Sequence, residues 1–380
     1  GARRVVVSAA NGAEAALVPG LDVRVARDLR EIVDWLGGDG PPLAAASPST
    51  DADTDCVSAL PDLADVAGQT LAKRAIEVAA AGGHHVYLVG SPGAGKTMIA
   101  ERLPGLLPPL TDAESLEVTA VHSVAGRLGD SARLIRRPPM QAPHHTASVA
   151  ALVGGGSHVG RPGAISLAHR GVLFLDEAPE FPGRALDALR QPLEDGRVVL
   201  HRSGGAVSYP ARFLLVLAAN PCPCARPAKD CMCAPMARRR YQQRLSGPLL
   251  DRIDVRVQVD PVAHAELFDV ASQRESSAVV AGRVAQARAA AAERWRGTRW
   301  RCNGEVPGSA LRTGRWALPR AVLAPVEAQL RRGQLSGRGF DRVLRLAWTL
   351  ADLAGRATPA AADVAEALFF RTGHSEGWAA

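Results

Sequence analysis

The sequence predicts an α/β protein: a parallel sheet flanked by helices, then an all-helical domain. Three observations carry that expectation. Between residues 63 and 260, four short apolar runs, "HVYLV", "GVLFLDE", "FLLVLAAN" and "DVRVQV", alternate with stretches of helical period. The first run leads straight into the glycine-rich "GSPGAGKT". Beyond residue 277 the apolar residues recur at helical spacing only, as in "FDRVLRLAWTLADLAG" and "PAAADVAEALFF".

In chain order, residues 1–37 read strand, helix, strand, helix ("RRVVVSA", "AEAALV", "LDVRVA", "LREIVDWLG"). That is too little chain to bury a core of its own. Residues 38–62 are rich in Pro, Ser and Asp and read as a linker. Residues 63–260 form the α/β core and 261–380 the helical domain. A chain of 380 residues with 47% hydrophobic content has ample apolar material for this. No run approaches the roughly 20 apolar residues of a membrane span, and no leader pattern opens the chain. The expected compartment is the cytoplasm.

"GSPGAGKT" fits G-x-x-x-x-G-K-[ST] with Gly90, Gly95, Lys96 and Thr97 in the fixed places. A strand precedes it and the helical "TMIAERLPGLL" follows. In such a loop Gly90, Ser91, Pro92, Gly93, Ala94 and Gly95 turn backbone N–H groups onto phosphate oxygens. Lys96 reaches the outer phosphates and the Thr97 hydroxyl holds Mg²⁺. The bland alternative is an ordinary strand-to-helix turn. Against it, all but three of the 45 basic residues are arginines, the exceptions being Lys73, Lys96 and Lys229. Lysine at position 96 therefore reads as required. The cofactors expected are ATP and Mg²⁺.

"GVLFLDE" carries Asp176 and Glu177 to the carboxyl end of a buried strand, where ligands bind in such sheets. Asp176 can hold Mg²⁺, and Glu177 can deprotonate the attacking water. "FLLVLAAN" brings Asn220 to the same edge, where it can read the γ-phosphate. "LSGPLLDRIDV" sets Arg252 in a turn, an arginine to offer to a neighbouring subunit's ATP. "LSGRGFDRVLRLA" places Arg338 at the start of a helix in the last domain, a second candidate sensor of the phosphate. A solvated or structural arginine is the plain alternative for both.

Four cysteines fall within twelve residues: Cys222, Cys224, Cys231 and Cys233. Two C-x-C pairs can supply a tetrahedral Zn²⁺ with four thiolates, though C-x₂-C is the commoner spacing. Free thiols, another metal and disulfides also fit the spacing. His144 and His145 in "QAPHHTAS" form no metal box, for they have no acidic partner at ligand spacing. They read as structural or as coupled to the nucleotide. The net charge of +7 invites a polyanion, but an arginine-for-lysine bias weakens that inference. Aromatic content of 4% argues against a platform on which bases stack.

The order of phosphate loop, "FLDE", "AAN", "LLDRID" and helical "SGR" resembles the AAA+ ATPases. The long stretches "QAPHHTASVAALVGGGSHVGRPGAISLAHRGVLFLDE" and "NPCPC…RRRYQQRLSGPLLDRIDVRV" resemble the magnesium chelatase-like branch, in particular the ComM (YifB-like) competence protein family. That resemblance covers about residues 1–375 and implies an AAA+ P-loop core with a helical lid. Residues 1–37 would then be the end of a Lon-protease-like domain; no Ser–Lys dyad is visible in them. It also implies a homo-hexameric motor on single-stranded or branched DNA, a branch-migration helicase of DNA uptake that works beside recombination proteins. The rival it leaves open is an ATPase subunit that remodels a metal-chelatase or other protein partner. Relatives carry two insertions facing the channel of the ring. Here these would be residues 144–168, with Gly154, Gly155 and Gly156 as a flexible tip beside Arg161, and a hairpin with Arg202 near its tip. Arg161 and Arg202 are the arginines expected on DNA phosphates.

Overall fold

The computed structural model describes residues 3–47, 60–128, 133–156, 160–202, 205–226, 230–264, 266 and 274–373. The chain divides into two compact units, residues 1–59 with 109–137, and residues 60–108 with 138–380.

In the first unit, β1 (Arg4–Ser8) pairs in parallel with β2 (Asp22–Ala26) across α1 (Gly12–Ala15). Asp22 takes both Arg4 and Arg24 as ion-pair partners. α2 (Leu29–Gly37) is capped by Asp28, whose side chain accepts from Glu31 N at 3.0 Å, and it ends at Gly38 with φ of 84°. Two features differ from the sequence expectation. Ala44 and Ala45, within the stretch read as linker, form β3 and pair antiparallel with β2. Leu43 is buried beside them, and Arg24 Nη1 donates to its carbonyl at 3.2 Å. The helix α5 (Asp112–Val124), opened by a Thr111–Glu114 capping box, groups with this unit rather than with the α/β core. Its Ser123 hydroxyl bonds Glu14 of α1.

The second unit is built on a five-stranded parallel sheet. Its strands are β4 (Val86–Val89), β5 (Met140–Gln141), β8 (Val172–Leu175), β11 (Leu214–Ala219) and β12 (Val255–Gln258), in the order β12-β4-β11-β8-β5. The four apolar runs are the four longer strands; β5, two residues long at one edge, is the one the pattern did not announce. Successive side chains point to opposite faces. Val86, Leu88, Phe174 and Val216 join a core with α3 (Thr70–Gly82), α4 (Lys96–Leu106) and the C-terminal helices. Tyr87, Leu173, Leu175, Leu215 and Leu217 join a second core on the other face. That double burial is why these strands read as continuous apolar runs rather than alternating ones.

Among the described residues, the C-terminal region carries the α-helices Ser277–Arg294, Gly308–Arg312, Arg320–Arg331, Gly337–Leu353 and Ala361–Thr372. Among the described residues no helix is long and apolar enough to cross a membrane. One polar network ties these helices to one another and a second fastens them to the sheet. Asn303 donates to Thr349 at 3.1 Å and to Asp352 at 2.8 Å, and accepts from Trp295 Nε1 at 2.9 Å. Asp254, just before β12, is buried against Arg342 of the helix Gly337–Leu353, with His84 and the His85 backbone N–H on its other side. Burial alone would raise its pKa, but Arg342 and His84 outweigh it and hold the carboxyl well below the usual carboxylate range.

Removing one partner of such a pair strands a buried charge. Arg342→Met should therefore cost about 3–5 kcal/mol of stability, read as a fall in Tm or denaturation midpoint. Because the folded pKa of Asp254 lies below the unfolded one, the pair's contribution is present above about pH 4 and drains away as pH falls further. A variant as stable as the unaltered chain at pH 7 would refute the pair's role.

Candidate nucleotide site and cysteine cluster

The loop between β4 and α4 has the shape its glycines require. A Cβ at Gly90 would stand 2.1 Å from the Val259 carbonyl oxygen, so no side chain fits there. Gly93 and Gly95 hold φ of 74° and 93°, a left-handed backbone that favours glycine. Ser91 is half-buried, Pro92 and Gly93 are exposed at the crest, and Ala94 is buried. Gly90 N donates to Ala219 O at 3.1 Å and Val259 N to Val89 O at 2.7 Å, which anchors the loop across three strands. α4 starts at Lys96 with no side-chain cap, so its first N–H groups face the loop.

Lys96 is buried, and its ammonium donates to Gly90 O at 2.7 Å, Ser91 O at 3.0 Å and Asn220 Oδ1 at 3.1 Å. Burial lowers its pKa, while the carboxylates of Asp176 and Glu177 pull the other way. The Thr97 hydroxyl donates to Asp176 Oδ2 at 2.7 Å. A hydroxyl beside a carboxylate is the hard-oxygen donor set that Mg²⁺ takes. Glu177 follows with φ of 51°, unusual for a residue with a side chain, and its N–H donates to Asp176 Oδ1 at 2.9 Å. Lys96, Thr97, Asp176, Glu177 and Asn220, far apart in sequence, thus meet at one edge of the sheet.

Arg252 and Arg338 are not part of that meeting. Arg252 lies in the turn between α11 (Gly247–Leu250) and β12. Its guanidinium donates to Pro248 O at 2.6 Å and pairs with Glu194 of α9 (Arg190–Asp195). Arg338 is exposed in the first turn of its helix, where Ser336 caps Gly339 N at 3.1 Å.

Three further residues stand near the site, and two of them, Gln69 and Tyr241, carried no signal in the sequence. Gln69, with φ of 56°, braces the phosphate loop by donating to Ala94 O at 2.8 Å and Asp260 O at 2.6 Å. Tyr241, on α10 (Pro235–Gln242), is buried, and burial first, then Glu180, pushes its hydroxyl up to about 12. His145 Nδ1 stands 3.2 Å from Glu177 Oε2. The sequence left this histidine as structural or coupled to the nucleotide and named no partner for it.

Of the residues expected on DNA, Arg161 is exposed on β7 (Arg161–Pro162). Arg202 ends β9 (Arg197–Arg202), and its side chain lies outside the described residues. β9 pairs antiparallel with β10 (Gly205–Pro210), making the anticipated hairpin. Gly154 and Gly155, expected at a flexible tip, instead form β6 and pair with β7. A Cβ at Gly154 would lie 2.4 Å from Arg161 O, so close strand approach, not freedom, explains the glycine.

Cys222, Cys224, Cys231 and Cys233 converge just beyond Asn220, with all four Sγ atoms within 4.8 Å of one another. Cys222 Sγ is 3.2 Å from Cys224 and 3.3 Å from Cys231, and none of the four is in a disulfide. A ZnS₄ tetrahedron with bonds near 2.3 Å has edges of about 3.8 Å, so the cluster is of the right size. The Arg226 N–H and the adjacent thiols bring Cys224 down to about 6.

A parallel sheet with a phosphate loop, an Asp–Glu edge and a helical C-terminal region defines an AAA+ protein. Residues 62–267 match the family described as magnesium chelatase, subunit ChlI, and residues 274–371 match its C-terminal counterpart. An uncharacterised protein of Mycobacterium tuberculosis is 57% identical over 369 residues, 97% of this chain and 72% of that protein. Competence protein ComM of Haemophilus influenzae is 38% identical over 97% of this chain and 72% of its own length. YifB of Salmonella typhimurium is 40% identical over 92% of this chain and 67% of its own. The chain belongs to the magnesium chelatase-like AAA+ family and is similar over most of its length to ComM and YifB.

Proposed function

We propose that this chain is an ATP hydrolase that works as a hexameric motor on single-stranded or branched DNA, migrating branches during DNA uptake and recombination. The observation that carries the ATPase half is the convergence of Lys96, Thr97, Asp176, Glu177 and Asn220. Lys96 and the loop N–H groups would bind the phosphates. Thr97 and Asp176 would hold Mg²⁺, which supplies charge neutralisation at the β- and γ-oxygens when bound. Glu177 would take the proton of the attacking water, and Asn220 would orient the γ-phosphate. Arg252 would complete a neighbour's site, with Arg338 acting from the lid.

The DNA half is supported by the name of the competence relative and by the two β-ribbons that carry Arg161 and Arg202. Contacts to phosphates alone make binding independent of sequence and steeply dependent on salt. The cytoplasm, where ATP and DNA meet, is the compartment this reading requires, and recombination proteins are the partners it suggests. Residues 1–37 would be the end of a Lon-like domain, 38–62 a linker, 63–260 the ATPase core and 261–380 the lid. The family description itself favours a second reading, an ATPase that remodels a chelatase-type protein partner. ATPase rate measured with and without forked DNA, across a salt series, separates the two. Stimulation that fades as salt rises, and that Arg202→Ala weakens on every sequence alike, supports the motor. An ATPase indifferent to DNA, with no DNA binding at low salt, points to the remodeller.

The cysteine cluster is proposed as a structural Zn²⁺ site, since four protein thiolates leave no open position for chemistry. It would brace the loop between Asn220 and Arg252. Elemental analysis should find one equivalent of zinc per chain, and none in Cys231→Ser with Cys233→Ser. Loss of zinc should impair assembly and ATPase coupling more than ATP binding, because Lys96 sits on another loop. Metal-free protein with four freely titrating thiols and undiminished ATPase would refute the site.

A further inference from the structure

Four of the chain's six tryptophans meet at one place in the C-terminal region. Trp295, just beyond the helix Ser277–Arg294, is buried at the centre. Its ring centroid lies 5.7 Å from that of Trp300, 4.9 Å from Trp316 and 6.3 Å from Trp348, each pair edge to face. Trp300 and Trp316 stand 6.2 Å apart and are half-buried, so they form the outer layer of the group. The Arg315 guanidinium lies over the Trp316 ring, 4.3 Å from its centroid.

Charge gathers where the rings do. Residues 294–320 hold seven arginines and one acidic residue, Glu305, a net of +6 in a chain whose total is +7. A preference for arginine over lysine does not produce that, because it does not decide where carboxylates are missing. The carboxylates bonded to this stretch are already committed: Glu293 to Arg296, Asp352 to Arg294, Glu305 to Arg212 at 3.7 Å and Asp341 to Arg312 at 3.3 Å. Arg299, Arg315 and Arg320 are exposed and in no ion pair among the described residues. Two contacts fix where this surface lies. A Cβ at Gly83, ahead of β4, would come 2.8 Å from Cys302 Sγ, and Arg212, the partner of Glu305, leads into β11. Both are at the amino ends of strands, the edge of the sheet opposite the phosphate loop.

We propose that Trp300, Trp316, Arg299 and Arg315 form a second DNA-binding surface, one that takes an unpaired strand. The inference rests on the DNA-motor reading above and adds a hold on an unpaired arm besides the two β-ribbons. Bases stack on indole faces and guanidinium planes, and phosphates pair with arginines that no carboxylate occupies. Stacking needs bases outside a duplex, so a single strand fits this surface and a blunt duplex does not. The aromatic content of 4% hides the feature, because a share of the whole chain says nothing about where its tryptophans gather.

The test measures binding of a fluorescent forked DNA with unpaired arms, and of a blunt duplex of equal length, across a salt series. It compares the unaltered chain with Trp316→Ala, with Trp316→Phe, and with Arg299→Ala and Arg315→Ala combined. Trp316→Ala should weaken forked-DNA binding about five- to hundredfold at every salt concentration, the loss of one stacked base, and Trp316→Phe should restore most of it. The arginine variant should reduce the salt slope by about 1.4, the loss of two phosphate contacts on a single strand. Duplex binding should hold in every variant. DNA-free ATPase should also hold in the arginine variant, whose substitutions lie at the sheet edge away from the nucleotide, and this shows that fold and assembly are kept. If Trp316→Ala fails to fold, the arginine variant and Trp316→Phe still decide the matter. The surface is refuted if the arginine variant binds forked DNA with the unaltered affinity and slope. It is refuted too if binding falls by the same factor on fork and duplex, which marks a plain phosphate patch. If the unaltered chain binds no DNA even at low salt, the motor reading falls and this surface with it. Forked-DNA binding kept by every variant sinks the surface alone.

Discussion

Arg252→Ala should lower the ATP turnover of an assembled ring by about 10³- to 10⁵-fold, the range known for arginines that stabilise transferring phosphoryl groups. Within its own chain the guanidinium is occupied by Glu194 and Pro248 O, and its turn lies apart from the Lys96 cluster. An arginine so placed serves a neighbour's nucleotide or none. The turn is held from two sides. Arg342 grips Asp254, and the buried Arg371 donates to Ile253 O while standing 3.7 Å from Asp251. Mixing Arg252→Ala with Lys96→Ala decides the matter. Rings of both variants contain junctions where an intact Lys96 faces an intact Arg252, so part of the lost activity should return. If rings shown to be mixed recover nothing, Arg252 does not act in trans.

Glu177→Gln should reduce turnover by about 10²- to 10⁴-fold, the usual contribution of a positioned general base, with ATP affinity kept. Glutamine has the shape of glutamate but cannot take the proton. Lys96, Thr97 and Asp176, which would hold Mg·ATP, make their contacts without the Glu177 side chain. Lys96→Ala gives the opposite pattern, because it removes the cation facing the phosphates and should weaken nucleotide binding itself. Equilibrium binding of a fluorescent nucleotide beside steady-state hydrolysis separates the two variants. Hydrolysis by Glu177→Gln at the unaltered rate would show that another group is the base.

The elements easiest to read beforehand were those whose physics is local. β8 and β11 are apolar on both faces because both faces are buried, so they show in the sequence without help from the fold. β5 has two residues at the sheet edge, and the expected linker hides β3, since pairing that short leaves no pattern to detect. The same contrast holds at the site. Lys96 and Thr97 come with a fixed spacing. Gln69 acts through two contacts and His145 through one, all with residues distant in sequence, and no spacing marks them.

The sequence by itself determined the phosphate loop, the strand that delivers Asp176 and Glu177, the strand ending at Asn220, and the spacing of the four cysteines. Each is set by glycine geometry, by burial of both sheet faces, or by closeness along the chain, all of which act within a few residues. Only the tertiary structure decided that Asn220 accepts from Lys96, that Arg252 is paired with Glu194, that Asp254 is locked to Arg342, and that His145 faces Glu177. Those partners are brought together by strand order and helix packing. A single polar contact across such a distance leaves no periodicity behind, so it becomes visible only when the chain has folded.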